Sequence, residues 1–485
     1  MGEHEQENPQ SHNEPAKKRK SLKVALRDGS AFTVMDYFGT AYFEAFVVAL
    51  GFAAQQVAYI LTIPQFITSL SQLASQRLIR RFGRFRVLTD AVFFQAITII
   101  LLVFLGIWTQ SIILIILFLS LFYALGAIGG NAWVSVMGDL VPERIRGRYF
   151  SIRARIMGIT AAISLVIAGL LVQFLSDQYG VYAFISIFSI AALARFYSFT
   201  LLRQYYDPPH EELSREEEFS FFRFITPVAK SNFARYAHFH AAFMFSVFLV
   251  APLMAFYKLD VLGFNYIEFT AIKGGFLLGS IVSLRYWGSI TDQYGNRINF
   301  LFTGVLIGLY VLAYSFIISF WGLFFLEIIG GIVWSGFSLS TANYIFDAVS
   351  RKKRAIVNGY LTIMRGTAVL AGGLGAVVLL EVLIAYDGVV VAGHETIYQT
   401  VLFISGIARM GIALVFWRFI KEVRPVEHRS LRTMMYTPFS GFRTTTNYLL
   451  GVAMSPMHYA IRRLDEYEEK SLNSVLKSEF DDEKR

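Results

Sequence analysis

An ionisable side chain near the middle of an apolar run costs about 2.5 to 3.5 kcal/mol to place in a bilayer, so where one is retained it meets a partner or water. This sequence retains a small set. Asp36, Thr40 and Glu44 stand at i, i+4 and i+8 of one apolar run, a spacing that puts all three on one face of a helix. By the helical rise Glu44 lies roughly 20 Å, and Asp36 roughly 8 Å, from the start of that run. Carboxylates so placed can take up and release a proton, and Glu44 is the candidate coupling group; a structural hydrogen bond to a neighbouring helix is the competing role. Lys273 and Glu327 enter two other runs from one side, each about 8 to 9 Å deep. They are expected to pair and offset each other's desolvation cost, or else Lys273 attracts an anion and releases its counter-ion. Arg365, roughly 12 Å into its run, is a second candidate for an anionic group. Arg153 and Arg155 can extend to headgroups or pair with Asp36. No His-Glu-x-x-His, Gly-x-Ser-x-Gly or Gly-x-x-x-x-Gly-Lys string is present, so the sequence carries no hydrolytic or nucleotide-driven machinery and is not expected to be an enzyme.

The elements that position these groups follow from composition. The chain is 55% hydrophobic, 16% aromatic and 16% charged, with a mean hydropathy of +0.51. That belongs in a membrane. Its net charge of +9 sits in short connections between apolar runs, which points to topology rather than to nucleic acid. There are no cysteines, hence no disulfides and no thiolate metal site. A spanning helix needs about 20 apolar residues. Twelve runs qualify, near 31–53, 57–76, 88–108, 111–136, 150–174, 181–202, 236–256, 268–287, 298–319, 321–346, 357–384 and 397–420. The longest connection, 203–235, contains Pro208, Pro209 and an acidic run, and reads as a linker between two sets of six. The expected fold is therefore an all-α polytopic membrane protein of twelve transmembrane helices in two pseudo-symmetric bundles. Its divisions are a tail over 1–30, bundles over 31–202 and 236–420, the linker over 203–235 and a tail over 421–485. Lys and Arg concentrate in alternate connections, for example Arg77, Arg80, Arg81, Arg84 and Arg86, which puts both termini and the linker in the cytoplasm. The last tail carries eleven Lys or Arg, and within it Tyr448, Leu449, Leu450, Met454, Met457 and Tyr459 suit an interfacial helix or a solvated tail equally.

Two short strings between runs repeat. Gly288-Ser-Ile-Thr-Asp292-Gln-Tyr-Gly295-Asn-Arg297 is expected to be a tight hairpin, and a degraded copy around Arg80, Gly83 and Arg84 lies 212 positions earlier. Asp139 and Arg146 likewise fall on Asp347 and Arg354 at an offset of 208. Gly-x-x-x-Asp-x-x-Gly-x-Arg between two helices resembles the signature loop of the major facilitator superfamily of membrane transporters, and the string from Trp133 to Phe150 resembles a bacterial branch of it.

That resemblance implies two halves around a cavity, lined by the first, fourth, seventh and tenth helices. It nominates Asp36, Tyr37, Thr40, Glu44, Tyr123, Asn131, Trp133, His238, Ser246, Glu327, Trp334, Ser335, Ser338 and Asn343 as lining residues. It also implies a gate in which Asp292 meets the inner end of the fifth helix, Arg297 meets Asp347 and Arg84 meets Asp139, with Gly83, Gly288 and Gly295 permitting the turns. Arg80 replaces the expected aspartate, so the inward-closed state is expected to be latched on one side only. The fifth helix has Gly158 and Gly169 but no Gly-Pro pair, unlike the superfamily's drug/proton antiporters. The expected activity is secondary transport of a small solute by alternating access; the alternatives are a transporter-like sensor and a lipid-translocating protein. The expected partners are a small-molecule substrate, membrane lipids and coupling protons. No nucleic acid, cofactor or metal is expected, and the protein is expected to be a monomer of the plasma (inner) membrane.

Overall fold

The computed structural model describes residues 14–208, 231–349, 354–386, 391 and 393–424. Among them there are helices and no strands. We number the twelve long helices α1 (Glu14–Phe38), α2 (Ala54–Phe82), α3 (Arg84–Thr109), α4 (Ile112–Leu140), α5 (Arg146–Tyr179), α6 (Ala183–Leu202), α7 (Asn232–Phe248), α8 (Tyr266–Tyr294), α9 (Asn296–Tyr314), α10 (Phe320–Ala348), α11 (Arg354–Ala385) and α12 (Ile397–Phe416). Ten described segments are long and apolar enough to cross a membrane, one of which, Glu143–Leu202, contains both α5 and α6. The charged first half of α1 keeps it out of those ten.

The first helix departs from expectation at both ends. It begins at Glu14, inside the stretch read as a polar tail, and buries Ser21, Leu22, Ala25 and Asp28. It then breaks at Gly39 (φ −107°, ψ −84°), passes through a 3-10 turn at Thr40–Tyr42 and resumes as Phe43–Ala49. The single face carrying Asp36, Thr40 and Glu44 is thus interrupted. The resumed segment turns Phe43 and Phe46 inward, where they meet Phe122 and Phe188 edge to face at 5.0 and 5.2 Å. Past Phe248, α7 continues through Ala251–Leu253 and Met254–Phe256 into a π-helical turn at Tyr257–Val261. The expected amphiphilic segment around Tyr448, most of the linker and the basic cluster 351–353 lie outside the described residues.

Helices α1 to α6 form one bundle, with α4 packed on α2 and α3, and α6 on α1 and α3. In the second bundle α10 packs on α8 and α9, and α7 on α11 and α12. The closest seam is α8 against α10. A Cβ on Gly279 or Gly331 would strike the carbonyl oxygens of Ile328 and Phe276, so only glycine lets these backbones approach. The bundles meet along α2 with α11 and α5 with α8. Gly366 and Gly373 receive Ser69 and Thr62 on the first seam, and Gly169 receives Thr270 on the second.

Candidate substrate cavity and gates

The hairpin turns are shorter than the sequence suggests. Residues Gly288 to Tyr294 are helical, and the chain reverses at one glycine in each half, Gly83 with φ 81° and Gly295 with φ 86°. Only glycine takes that backbone region without strain. The two turns mark one end of the molecule, the basic end; the opposite end is here the far end.

Toward the basic end a cavity of about 250 Å³ is lined by three helical stripes. Tyr236, His240 and Met244 come from α7 at i, i+4 and i+8; Trp334, Phe337, Ser338, Thr341, Ala342 and Ile345 come from α10; Asn358, Leu361, Thr362 and Arg365 come from α11 at i, i+3, i+4 and i+7. The spacings are those of single helix faces, which is why the polar groups converge. Trp334, Ser338 and Arg365 of the expected residues reach this wall. Asp36, Thr40, Glu44, Asn131, Trp133, Lys273, Glu327 and Asn343 do not line it. On the other half Thr40 lies beside the Asp36 carboxyl, which is within electrostatic range of Arg195 and Lys273. Asn131 donates to Ser75 Oγ at 3.2 Å, and Arg153 lies over the Trp133 ring at 4.6 Å.

Polar contacts tie the halves together toward the far end. Lys273 of α8 donates to Glu44 at 3.3 Å and to the Ala41 carbonyl at 2.8 Å. Tyr42 is hydrogen-bonded to Thr270 at 2.8 Å, and the Tyr266 amide donates to Gln173 at 2.8 Å. Apolar contact adds to this, since Ala54 and Ala58 of α2 share one core with Val250, Leu253 and Tyr257 beyond α7. The expected Lys273–Glu327 pair is therefore absent. Glu327 instead takes Lys258, from the π-helical turn, at 2.8 Å, and accepts from Tyr310 at 3.0 Å. The π-turn rotates Lys258 inward, a displacement that hydropathy could not reveal.

At the basic end Arg84 binds Asp139 as expected, and also Asp207 at 3.0 Å and the Pro208 carbonyl at 2.9 Å. The second half departs from expectation. Asn296, not Arg297, donates to Asp347, at 2.7 Å. Arg297 turns to the Trp417 carbonyl, and its amide donates to Glu422 at 2.7 Å, a carboxylate at the free N-terminus of α9. Asp292 does not reach α5; it pairs with Arg424 at 3.5 Å and is largely exposed. Arg153 does not pair with Asp36 and donates to the Ala25 carbonyl.

These repeated turns and paired termini fit the sequence-family comparison, in which the model of the Major Facilitator Superfamily matches residues 29–373. The chain belongs to the major facilitator superfamily. Membership makes it an integral membrane transporter rather than an enzyme. Its fold is shared with the nucleoside transporter NupG in a single-site variant, at TM-score 0.62 and 14% identity over 83% of this chain and 100% of that one. A bacterial homologue of the iron transporter ferroportin gives 0.57 at 15% identity over 84% and 99%, and a bacterial homologue of the human lysosomal transporter Spinster 0.56 at 15% over 84% and 96%. At such identities the likeness concerns the fold alone. No functionally curated protein matches in sequence.

Sequence reasoning missed three groups in this superfamily member. Asp28, 3% exposed, accepts from Ser198 at 2.6 Å and Tyr205 at 3.1 Å; it was hidden because its segment reads as a polar tail. Arg195 donates to Gln95 at 2.7 Å, a contact between α6 and α3 of the first bundle that carries no local signal. In α7 His240, two residues beyond the nominated His238, faces the cavity. A strict i, i+4 count from Tyr236 would have found it.

Proposed function

We propose that this protein is a secondary transporter that moves a small solute by alternating access, in a state closed at the far end. The basic residues around Gly83 and in the connection after α10 support assigning the basic end to the cytoplasm, so that the state is inward-facing in the plasma membrane. One observation carries the reading. The Glu44–Lys273 ion pair joins the halves at the far end, while Asp292, the residue that would cross between halves at the basic end, is held by Arg424 of its own half. Two exclusive sets of contacts, one at each end, are what a rocking transporter exchanges. On this reading Glu44 is a latch rather than a deep coupling site. Asp36, between Arg195 and Lys273, is the better placed carboxylate for a coupling proton.

A specific feature favours lipid translocation as the second reading. An apolar groove of about 380 Å³ runs along the α5–α8 seam, with Val166, Leu278 and Ile281 exposed on its walls.

The natural absence of cysteine makes the test direct. Ser338→Cys places one thiol on the cavity wall, and a membrane-impermeant maleimide is applied to oriented vesicles from either face. A transporter that alternates is labelled from both faces. Labelling from one face alone contradicts transport and leaves a sensor.

A further inference from the structure

We infer that the cavity between α7, α10 and α11 takes a small organic monoanion with a flat apolar body, its anionic group on Arg365 and a polar edge on His240. The inference rests on the transport reading of the same cavity and names its substrate class. The first observation is an unpaired cation. Six other cations within the bundles have partners among the described residues: Arg84 has Asp139 and Asp207, Lys258 has Glu327, Lys273 has Glu44, Arg195 has Gln95, and Arg153 and Arg409 have carbonyls at Ala25 and Val247. Arg365 has no hydrogen bond or ion pair among the described residues, is exposed to the cavity, and no Asp or Glu lines the wall around it. A guanidinium at that depth is costly unless something supplies the counter-charge.

The second observation is independent. The His240 ring is 8% exposed, lines the same cavity and lies within electrostatic range of Arg365, yet its Nδ1 is buried without a hydrogen-bond partner. An orphaned ring nitrogen on a wall residue calls for a partner, and a polar edge of the ligand supplies one once the ring turns toward the cavity. The remaining wall defines the rest of the ligand. Trp334 gives an aromatic face, backed by the buried rings of Tyr236 and Phe337, and Ser338 and Thr362 give hydroxyls at the edge. One guanidinium offers one bidentate fork, which matches a single carboxylate; a polyphosphate or a dicarboxylate would leave charge unmatched. A cavity of about 250 Å³ limits the ligand to a small one.

The probe is benzoate, compared with its neutral isostere benzamide, in thermal-shift titrations of the purified full chain at fixed ionic strength. Benzoate is expected to stabilise saturably, with half-saturation at least tenfold lower than for benzamide, the scale of a charge-assisted contact. Arg365→Gln should bring the two ligands within about twofold, and His240→Ala should weaken both. Arg365→Lys keeps the charge but loses the fork, so it tests the contact even if the glutamine variant fails to fold, and it should lose several-fold of the preference. Equal affinities, no saturable response to benzoate, or a preference unchanged in the folded Arg365 variants overturns the inference. Two-sided labelling of Ser338→Cys needs no ligand and leaves Arg365 intact. Failure of the anion preference with two-sided labelling therefore rejects the substrate class and not the transporter.

Discussion

Asn296 donates to Asp347 at 2.7 Å from the position that Arg84, bound to Asp139, occupies in the first half. Each is the first residue of its helix, directly after a glycine of positive φ, and each reaches a carboxylate at the end of the helix that packs beside it. The two halves thus keep one connection with different chemistry, an ion pair in the first and a neutral donor in the second. Arg84 is 4% exposed and makes further bonds to Asp207 and Pro208. Arg84→Ala should therefore destabilise by about 3 kcal/mol and Asn296→Ala by about 1.5 kcal/mol, since both reach a carboxylate but Arg84 carries a charge and makes the further bonds. Thermal unfolding in one detergent checks the order; equal losses contradict it.

The Lys258–Glu327 pair is closed off from solvent, with both side chains under 10% exposed. Removing one partner strands the other, so Glu327→Leu or Lys258→Met alone should each cost about 3 to 5 kcal/mol, whereas the two together should recover most of that. Unfolding midpoints of the two single variants and the double variant test the coupling. Additive losses would place the pair outside the stabilising core.

Glycine is required on the α8–α10 seam and not everywhere in α4 and α12. Gly331→Ala should abolish folded yield or shift the seam, because its Cβ meets the Phe276 backbone. Gly138→Ala and Gly411→Ala, with nothing within 4 Å, should be neutral or slightly stabilising. Size-exclusion profiles of the three variants decide it.

Much of the fold was legible because hydropathy and turn chemistry are local. Gly83 and Gly295 show in the sequence because their backbone conformation excludes other residues, and the twelve runs show because a bilayer demands length. Trp334 and Arg365 were found as a polar or aromatic group in a run where neither is expected. The partner of Lys273 was not legible. Glu44 lies 229 positions away in the other half, and the pairing exists only once the halves dock. The difference between Asn296 and Arg297 is one residue of helix start, a quantity that spacing does not fix. Thr40 was placed on an unbroken helix because nothing in the sequence distinguishes Gly39 from a glycine that a helix tolerates.

The most direct measurement compares labelling of Ser338→Cys from the two faces of oriented vesicles, with and without Glu44→Gln. The latch is partly exposed, with Lys273 at 25% and Glu44 at 39%, so solvent screening limits it to about 1 kcal/mol. Its loss should shift the ratio of far-face to basic-face labelling by about fivefold toward the far face. An unchanged ratio would contradict the account, because the ion pair would then join two halves that never part there.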